Sequence, residues 1–196
     1  MGTRILVPLD GSELADAAVP YAEQLGKALG WSALLFSVVT VERRTLPRHV
    51  PTPPPPVESG PGVMEAWKRL EATADEEVRD EVAAARDALA AAASRLRAAG
   101  LDAAVEVTIG NASDGIARRA DRDDIAMVVM ASHGRTGLRR LVRGSVANGV
   151  VQNSDRPTLV VNAFREGDQR YVLEHAERLS PDEAEAVRQA VGAPLG

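Results

Sequence analysis

Residues 128–146 read VVMASHGRTGLRRLVRGSV, in which two glycine turns flank a basic segment. The first turn, His133-Gly134, follows a short apolar run, and the second, Gly144-Ser145, begins a helical pattern after nine intervening residues. Glycine allows backbone N–H groups to approach an anion closely. A helix N-terminus adds unpaired N–H donors and the positive end of the helix dipole. The stretch therefore predicts an anion-binding loop between a buried strand and a helix.

The composition of the chain narrows the class of protein. The 196 residues include 23 lysines and arginines, 28 aspartates and glutamates and no cysteine, which gives a formal net charge of −5. An acidic balance argues against general nucleic-acid binding, and the lack of cysteine excludes disulfides and thiol chemistry. The start of the chain, MGTRILVPLD, lacks an apolar signal-peptide core, and no apolar run reaches membrane-spanning length. We therefore expect a cytoplasmic protein with no nucleic-acid or membrane partner.

Strand-like and helix-like patterns alternate along the chain, which predicts an α/β fold with an open five-stranded parallel sheet. Helices on both faces of the sheet are expected at residues 12–29, 63–99, 112–120 and 145–153. The five predicted strands are Arg4–Pro8, Leu34–Val41, Ala103–Ile109, Ala126–Met130 and Thr158–Asn162.

These elements are expected to form one α/β domain over residues 1–163. A proline-rich loop at residues 43–62 interrupts it, and the four consecutive prolines in this loop favour an exposed polyproline II conformation. Residues 164–196 are charged and weakly apolar and are predicted to be a helical extension. Ser180 caps a helix there that has only a thin apolar stripe, so we expect it to pack on the domain or on a partner subunit.

A ligand site is expected where the order of the strands reverses, beyond their carboxyl ends. The loops after strands one and four meet at this point if the first strand is central. In the first of these loops, the carboxylate of Asp10 could accept hydrogen bonds from ribose hydroxyls or an adenine amino group, or bind Mg²⁺ beside phosphates. It could also simply cap the first helix. Val38, at the end of the second strand, would supply an apolar wall for a base.

Three segments carry a resemblance to a known family. They are ILVPLDGS at residues 5–12, SVV at residues 37–39 and ASHGRTGLRRLVRGSVA at residues 131–147. Together they resemble the universal stress protein family, whose nucleotide-binding pattern is Gly-x-x-Gly-x9-Gly-Ser/Thr. Ala131 stands here in place of the first glycine, and its methyl group narrows the site while its backbone N–H remains. The resemblance covers residues 1–162 apart from the proline-rich loop.

This resemblance implies a sheet of strand order 3-2-1-4-5 and ATP bound across the loops after strands one and four. It places base and ribose contacts at Pro8, Asp10, Val38 and Met130. It places phosphate contacts at Ala131, Gly134, Gly144, Ser145 and Val146. The complete predicted nucleotide site is Pro8, Leu9, Asp10, Val38, Met130, Ala131, His133, Gly134, Arg135, Gly144, Ser145 and Val146.

The sequence favours a nucleotide-binding regulator over an enzyme. It contains no P-loop, no G-x-G-x-x-G after the first strand and no G-x-S-x-G elbow. The nucleotide loop also has no lysine and no water-activating base, so any hydrolysis is expected to be slow. The preferred hypothesis is a stress-response sensor that binds ATP, with or without Mg²⁺. Its nucleotide state would change the surface that contacts an unidentified protein partner. A slow ATPase or a phosphoryl or nucleotidyl transferase is the alternative, and ADP, AMP or cyclic AMP are alternative ligands.

The fifth predicted strand, TLVVN at residues 158–162, suggests a homodimer. It is last in the expected strand order, so its N–H and C=O groups would be unpaired at the edge of the sheet. Pairing with its own copy about a two-fold axis would satisfy them. The family resemblance implies pairing at the same strand.

Overall fold

The computed structural model of the chain describes residues 3–40, 61–132, 144–162 and 171–192, and for residues 61–75 it describes the backbone alone. Strands and helices alternate along most of the chain. In chain order the elements are β1 (Arg4–Pro8), α1 (Glu13–Asp16), α2 (Val19–Leu29), β2 (Ser32–Val39), α3 (Pro61–Ala98), β3 (Ala103–Ile109), α4 (Ala112–Ala120), β4 (Ile125–Ser132), α5 (Ser145–Asn153), β5 (Thr158–Asn162), β6 (Tyr171–Glu174), a 3₁₀ turn (Ala176–Arg178) and α6 (Pro181–Gly192).

The sheet has the order β3-β2-β1-β4-β5-β6. The strands β1 to β5 are parallel, and β1 lies at the centre, where Leu6 pairs with Leu34 of β2 on one side and Val128 of β4 on the other. The predicted order 3-2-1-4-5 is therefore confirmed. The strand order reverses between β1 and β4, because β2 and β3 follow on one side of β1 whereas β4 and β5 lie on the other. Sheets of this kind bind ligands in the crevice between the carboxyl ends of these two strands.

The prediction of five strands is wrong, because β6 adds a sixth. This strand runs antiparallel to β5, with Val172 opposite Val160 and Leu173 opposite Leu159. The strand β5 is therefore not an edge, and the expectation that it is free to pair with a second copy is also wrong. Four half-buried residues form β6, a length too short to show a clear period of two in the sequence.

The predicted first helix at residues 12–29 is two helices in the structure. The Ser12 hydroxyl accepts a hydrogen bond from the Ala15 N–H at 3.2 Å and caps α1. The helix α2 begins at Val19 with Pro20 in its first turn, and it ends at Gly30 with φ of 68°. Proline lacks a backbone N–H and is tolerated only at the start of a helix, so Pro20 divides the segment. The segment thus begins at a serine cap and ends at a glycine in the left-handed conformation.

Apolar side chains on both faces of the sheet form the core, since alternate residues of a strand point to opposite faces. One face is covered by α2, α3 and α6, and its buried strand residues include Ile5, Val7, Leu35, Met127, Val129 and Leu159. The opposite face is covered by α4 and α5, and its buried residues include Leu6, Phe36, Val128, Met130 and Val160. The tail helix α6 packs against α2 with Val187 and Val191 buried, so it is part of this core.

A glycine allows α4 and α5 to pack closely. A Cβ atom placed on Gly149 of α5 would lie 2.6 Å from Cβ of Ser113 in α4, which is closer than carbon atoms approach without bonding. The close contact at this position is thus between two helices, α5 and α4. The glycine is therefore required by the fold.

Candidate functional site

A cavity of about 250 Å³ lies at the carboxyl ends of β1, β2 and β4, beside the start of α5. All of the predicted site residues within the described part of the chain line it. These residues are Pro8, Leu9, Asp10, Val38, Met130, Ala131, Gly144, Ser145 and Val146. The remaining predicted residues, His133, Gly134 and Arg135, lie outside the described residues.

The loop after β1 is held in place by hydrogen bonds at both of its ends. The Leu9 N–H donates to the Phe36 carbonyl at 2.8 Å and so fixes the loop against β2. One carboxylate oxygen of Asp10 accepts hydrogen bonds from the Ser12 backbone N–H at 3.0 Å and from the Ser12 hydroxyl at 2.6 Å. Ser12 is thus the residue that caps α1, and Asp10 orients Ser12. The exposed Asp10 carboxylate stands at the rim of the cavity.

The start of α5 forms the opposite side of the cavity. Gly144 is the N-cap residue and has no side chain with which to cap the helix. Its own N–H donates to the Ser132 hydroxyl at 2.9 Å, and its carbonyl accepts from the Asn148 N–H at 2.9 Å. The N–H groups of the first turn have no partner inside the helix, as at every helix start. They therefore provide donors and the positive end of the dipole at the cavity wall.

The fold does not require glycine at position 144. Its φ of −53° is open to any residue, and among the described residues a Cβ atom there would meet only the Ser132 hydroxyl, at 3.6 Å. This distance is an ordinary van der Waals contact. Gly149, five residues later in the same helix, would instead collide with Ser113. Packing against α4 therefore accounts for the glycine at position 149, whereas no packing contact among the described residues accounts for the glycine at position 144.

Apolar residues form the rest of the wall, and helix α4 contributes part of it. A Cβ atom on Gly115 would approach Cγ2 of Val38 to 3.0 Å, so the lack of a side chain lets α4 pack tightly beside this wall residue. Sequence reasoning missed several lining residues, because contacts made across helices leave no motif. The missed residues are Leu14, Ala15, Phe36, Ala112, Ile116, Ser132 and Ala147. Of these, Ser132 had a signal in the sequence, as the polar residue that ends a buried strand.

The perturbed titratable groups lie away from this cavity. The Arg119 guanidinium donates to both carboxylate oxygens of Asp124 at 2.9 Å and to Glu106 at 2.9 Å. Its hydrogen bonds to Asp124 are the main cause that raises the pKa of Arg119, and the same bonds lower the pKa of Asp124. Arg4 adds a contact to Asp124 at 3.3 Å. This cluster, which we call the Arg119 network, links the amino ends of β1 and β4 to α4.

Within the described residues, no group of histidine, aspartate or glutamate side chains is arranged to hold a metal ion. None of the helices in this part of the chain is both long and apolar enough to cross a bilayer.

Residues 1–162 match the family model of the universal stress proteins. The chain belongs to the universal stress protein family. Universal stress protein MJ0577 of Methanocaldococcus jannaschii is 25% identical over 161 residues, which cover 82% of this chain and 95% of that protein. The strand β6 and the helix α6 lie beyond the matched residues.

Solved structures share the fold of this universal stress protein. UspA from Lactobacillus plantarum has a TM-score of 0.60 at 22% identity, with 82% of this chain and 97% of that chain covered. A universal stress protein solved in complex with cAMP has a TM-score of 0.53 at 18% identity, with 82% of this chain and 97% of that chain covered. At these identities the likeness shows the fold.

Proposed function

We propose that this universal stress protein binds an adenine nucleotide, with ATP as the first candidate, in the cavity between β1, β4 and α5. The phosphates lie at the start of α5, near Gly144 and Ser145. The ribose lies near Asp10, and the base lies against Val38 and Met130. In this arrangement the negative end of the ligand meets the positive end of the helix dipole, and its flat apolar part meets the apolar wall.

The observation that carries this proposal is the glycine at position 144, where the described part of the fold leaves room for a side chain. A Cβ atom would meet no described atom closer than 3.6 Å, yet it would stand beside the N–H groups of the first turn. A side chain at this position would obstruct an anion that approaches those N–H groups. Close approach of a ligand to the backbone is one of the main uses of glycine.

A regulatory role agrees with the chemistry of the cavity better than a catalytic one. Asp10 is the only titratable side chain among the described lining residues. Its carboxylate already accepts two hydrogen bonds from Ser12. General acid–base catalysis needs a correctly placed proton donor or acceptor, commonly a pair. We infer that the nucleotide acts as a signal that stabilises one conformation of the loops around α5 and changes the surface offered to a protein partner.

A cyclic nucleotide is the second candidate ligand. The observation that favours it is the related structure solved in complex with cAMP. A cyclic monophosphate carries a single phosphate group, so it would use the start of α5 and leave the sites of the outer phosphates empty. Mass spectrometry of the nucleotide released from purified, denatured protein distinguishes the candidates before any ligand is added.

Isothermal titration with ATP, ADP, AMP and cyclic AMP tests the proposal, with each nucleotide measured in Mg²⁺ and in EDTA. The variant Gly144→Val is expected to lower ATP affinity by at least about tenfold, which corresponds to about 1.4 kcal/mol. Gly192→Val is the matched control, because a Cβ atom at Gly192 meets nothing within 4 Å and this residue lies in α6. Unchanged ATP affinity in a folded Gly144→Val protein would refute the site. Rapid hydrolysis of bound ATP would show that the protein is an enzyme and not a sensor.

A further inference from the structure

A second cavity, of about 390 Å³, lies between α3 and the carboxyl end of β2. We call it the α3 groove. Its floor includes Ser37 and Val39 of β2, and its outer wall includes Ala84, Ala85 and Ala88 of α3. The groove exists because α3 continues beyond the sheet: Leu89, Ala92 and Leu96 are buried, whereas most side chains in 76–88 are exposed. The overhanging part of the helix covers the end of β2 from one side.

The α3 groove adjoins the candidate nucleotide cavity. Leu9, Asp10 and Val38 line both. Successive residues of β2 point to opposite faces of the sheet, so Ser37 lies on the α3 side and Val38 on the α4 side. The two cavities therefore meet at the end of β2, which is where the proposed function places the base of the nucleotide.

Ser37 is the largely buried polar residue on the floor of the groove. It is only 7% exposed and lines the groove. Within the described part of the chain, its hydroxyl makes no hydrogen bond. Because this hydroxyl is not sealed from solvent, water can satisfy it, and a polar atom of a ligand in the groove could take the place of that water. The hydroxyl thus marks a position in the groove where a polar atom of a ligand would gain a hydrogen bond.

The charges of the groove indicate which kind of group it accepts. Its acidic residues include Asp16 and Glu81, and none of its lining residues within the described part of the chain is a lysine, arginine or histidine. Asp16 is partly neutralised by Arg95, at 3.3 Å. A second phosphate group would be repelled there, whereas a neutral apolar group would gain contact with the alanines of α3. The ends of the combined site therefore differ: the start of α5 suits an anion and the groove does not.

We propose that the α3 groove is an extension of the nucleotide site that accepts a neutral substituent on the adenine base, with an apolar body and a hydrogen-bonding group that reaches Ser37. This inference rests on the proposed function and makes it more specific. It names base-enlarged adenine nucleotides as the ligand class, in preference to plain ATP.

Titration calorimetry with a small panel of nucleotides tests the inference. The panel contains ATP and its derivatives with a propyl or a hydroxyalkyl group of similar length on N6 or on C8 of the base. At least one derivative is expected to bind about tenfold more tightly than ATP, the gain that burial of about two methylene groups supplies. At the position of the base where substitution raises the affinity, the hydroxyalkyl derivative should bind more tightly than the propyl derivative. The variant Ser37→Ala is expected to remove this difference in affinity.

Variants of α3 provide the matched comparison. Ala88→Leu fills the groove and should abolish the preference for the enlarged base while the affinity for ATP is unchanged. Ala90→Leu is the control, because Ala90 is exposed and lies two residues, about 200° of helix rotation, from Ala88. The control should keep the preference. Both changes place a good helix former on an exposed helix position, so folding is not at risk.

The outcomes separate this inference from the proposed function. If ATP and all derivatives fail to bind, the proposed function fails. If ATP binds and every derivative binds more weakly than ATP, the proposed function stands and the groove extension is overturned. A preference that survives Ala88→Leu overturns it as well.

Discussion

The two ends of the parallel sheet both carry polar residues, and they differ in whether these residues are already paired. At the amino end, the Arg119 network joins Glu106, Asp124 and Arg4 through direct contacts. At the carboxyl end, the start of α5 faces a cavity and Gly144 brings no capping side chain. A charged cluster whose members bind one another contributes to stability. Unpaired donors beside a cavity indicate a ligand site, even where few charges are present.

The tail adds further direct contacts at the amino end of the sheet. The end of β6 lies beside the start of β5, where Glu174 is opposite Thr158. Beyond it, the His175 ring contacts the Val151 carbonyl at 3.1 Å, and Arg178 contacts Asp155 at 3.5 Å. The tail thus adds contacts to the end of the sheet that is remote from the candidate nucleotide site. Its described residues leave the carboxyl end accessible.

The two glycines of α5 provide the strongest test of the comparison. Gly149→Ala is expected to lower the free energy of unfolding by about 2 kcal/mol, since overpacking of a tight contact costs roughly 1–3 kcal/mol. This loss should appear although alanine favours a helix by about 1 kcal/mol. Gly144→Ala should change stability by less than about 0.5 kcal/mol. Urea denaturation measures both. Equal destabilisation by the two changes would show that Gly144 is also a packing glycine.

The Arg119 network is expected to affect stability and to leave nucleotide binding unchanged. Arg119→Met keeps the apolar stem and removes the hydrogen bonds to Asp124 and Glu106. Because both carboxylates are partly exposed and can hydrate, the expected loss is about 1–2 kcal/mol. Arg118→Met, an exposed neighbour on the same helix, is the control and should have little effect. A reduced ATP affinity in the Arg119→Met protein at a temperature where it is fully folded would contradict the separation of the two ends.

The same network predicts a pH dependence with a defined sign. Hydrogen bonds from Arg119 lower the pKa of Asp124. A carboxyl group with a lower pKa in the folded state stabilises the fold above its unfolded pKa, which is about 3.9. This contribution is lost as the pH falls through the folded pKa. The difference in stability between the unmodified protein and Arg119→Met should therefore be constant from about pH 7 to pH 5 and shrink below about pH 4. A difference that stays constant down to pH 2.5 would assign the effect to packing.

The sequence predicts the parallel part of the fold well because each element there has a strong local signal. The bounds of β3, α4, α5 and β5 are as predicted. These elements combine continuous apolar runs or a regular helical period with glycine, serine or asparagine at their ends. The division of the first predicted helix at Pro20 was not predicted, although a proline is not tolerated inside a helix. The strand β6 was missed because its pairing with β5 depends on tertiary contacts that four residues cannot encode locally.

The candidate site was predictable to the extent that it lies on the loops after parallel strands. The fold places Asp10, Val38, Met130 and Gly144 around one cavity, although they are far apart in the chain. The wall from α4 was not predictable, because Ile116 reaches the cavity only through the close approach that Gly115 permits. The α3 groove was equally hidden, since it depends on how far a long helix extends past the end of the sheet.

Asp10 and Ser12 give the finest test, because two neighbouring residues are expected to separate binding from stability. Asp10→Ala should weaken ATP binding by about 1 kcal/mol, the usual value of a hydrogen bond to a ligand, while the domain remains folded. Ser12→Ala removes the cap of α1 and should lower the free energy of unfolding by about 1 kcal/mol with little change in affinity. Calorimetric titration and thermal unfolding of the ligand-free proteins measure the two effects. If Asp10→Ala lowers stability as much as Ser12→Ala does and keeps the affinity for ATP, the carboxylate acts only by orienting the cap. The ribose contact would then have to come from another group at the carboxyl end of the sheet.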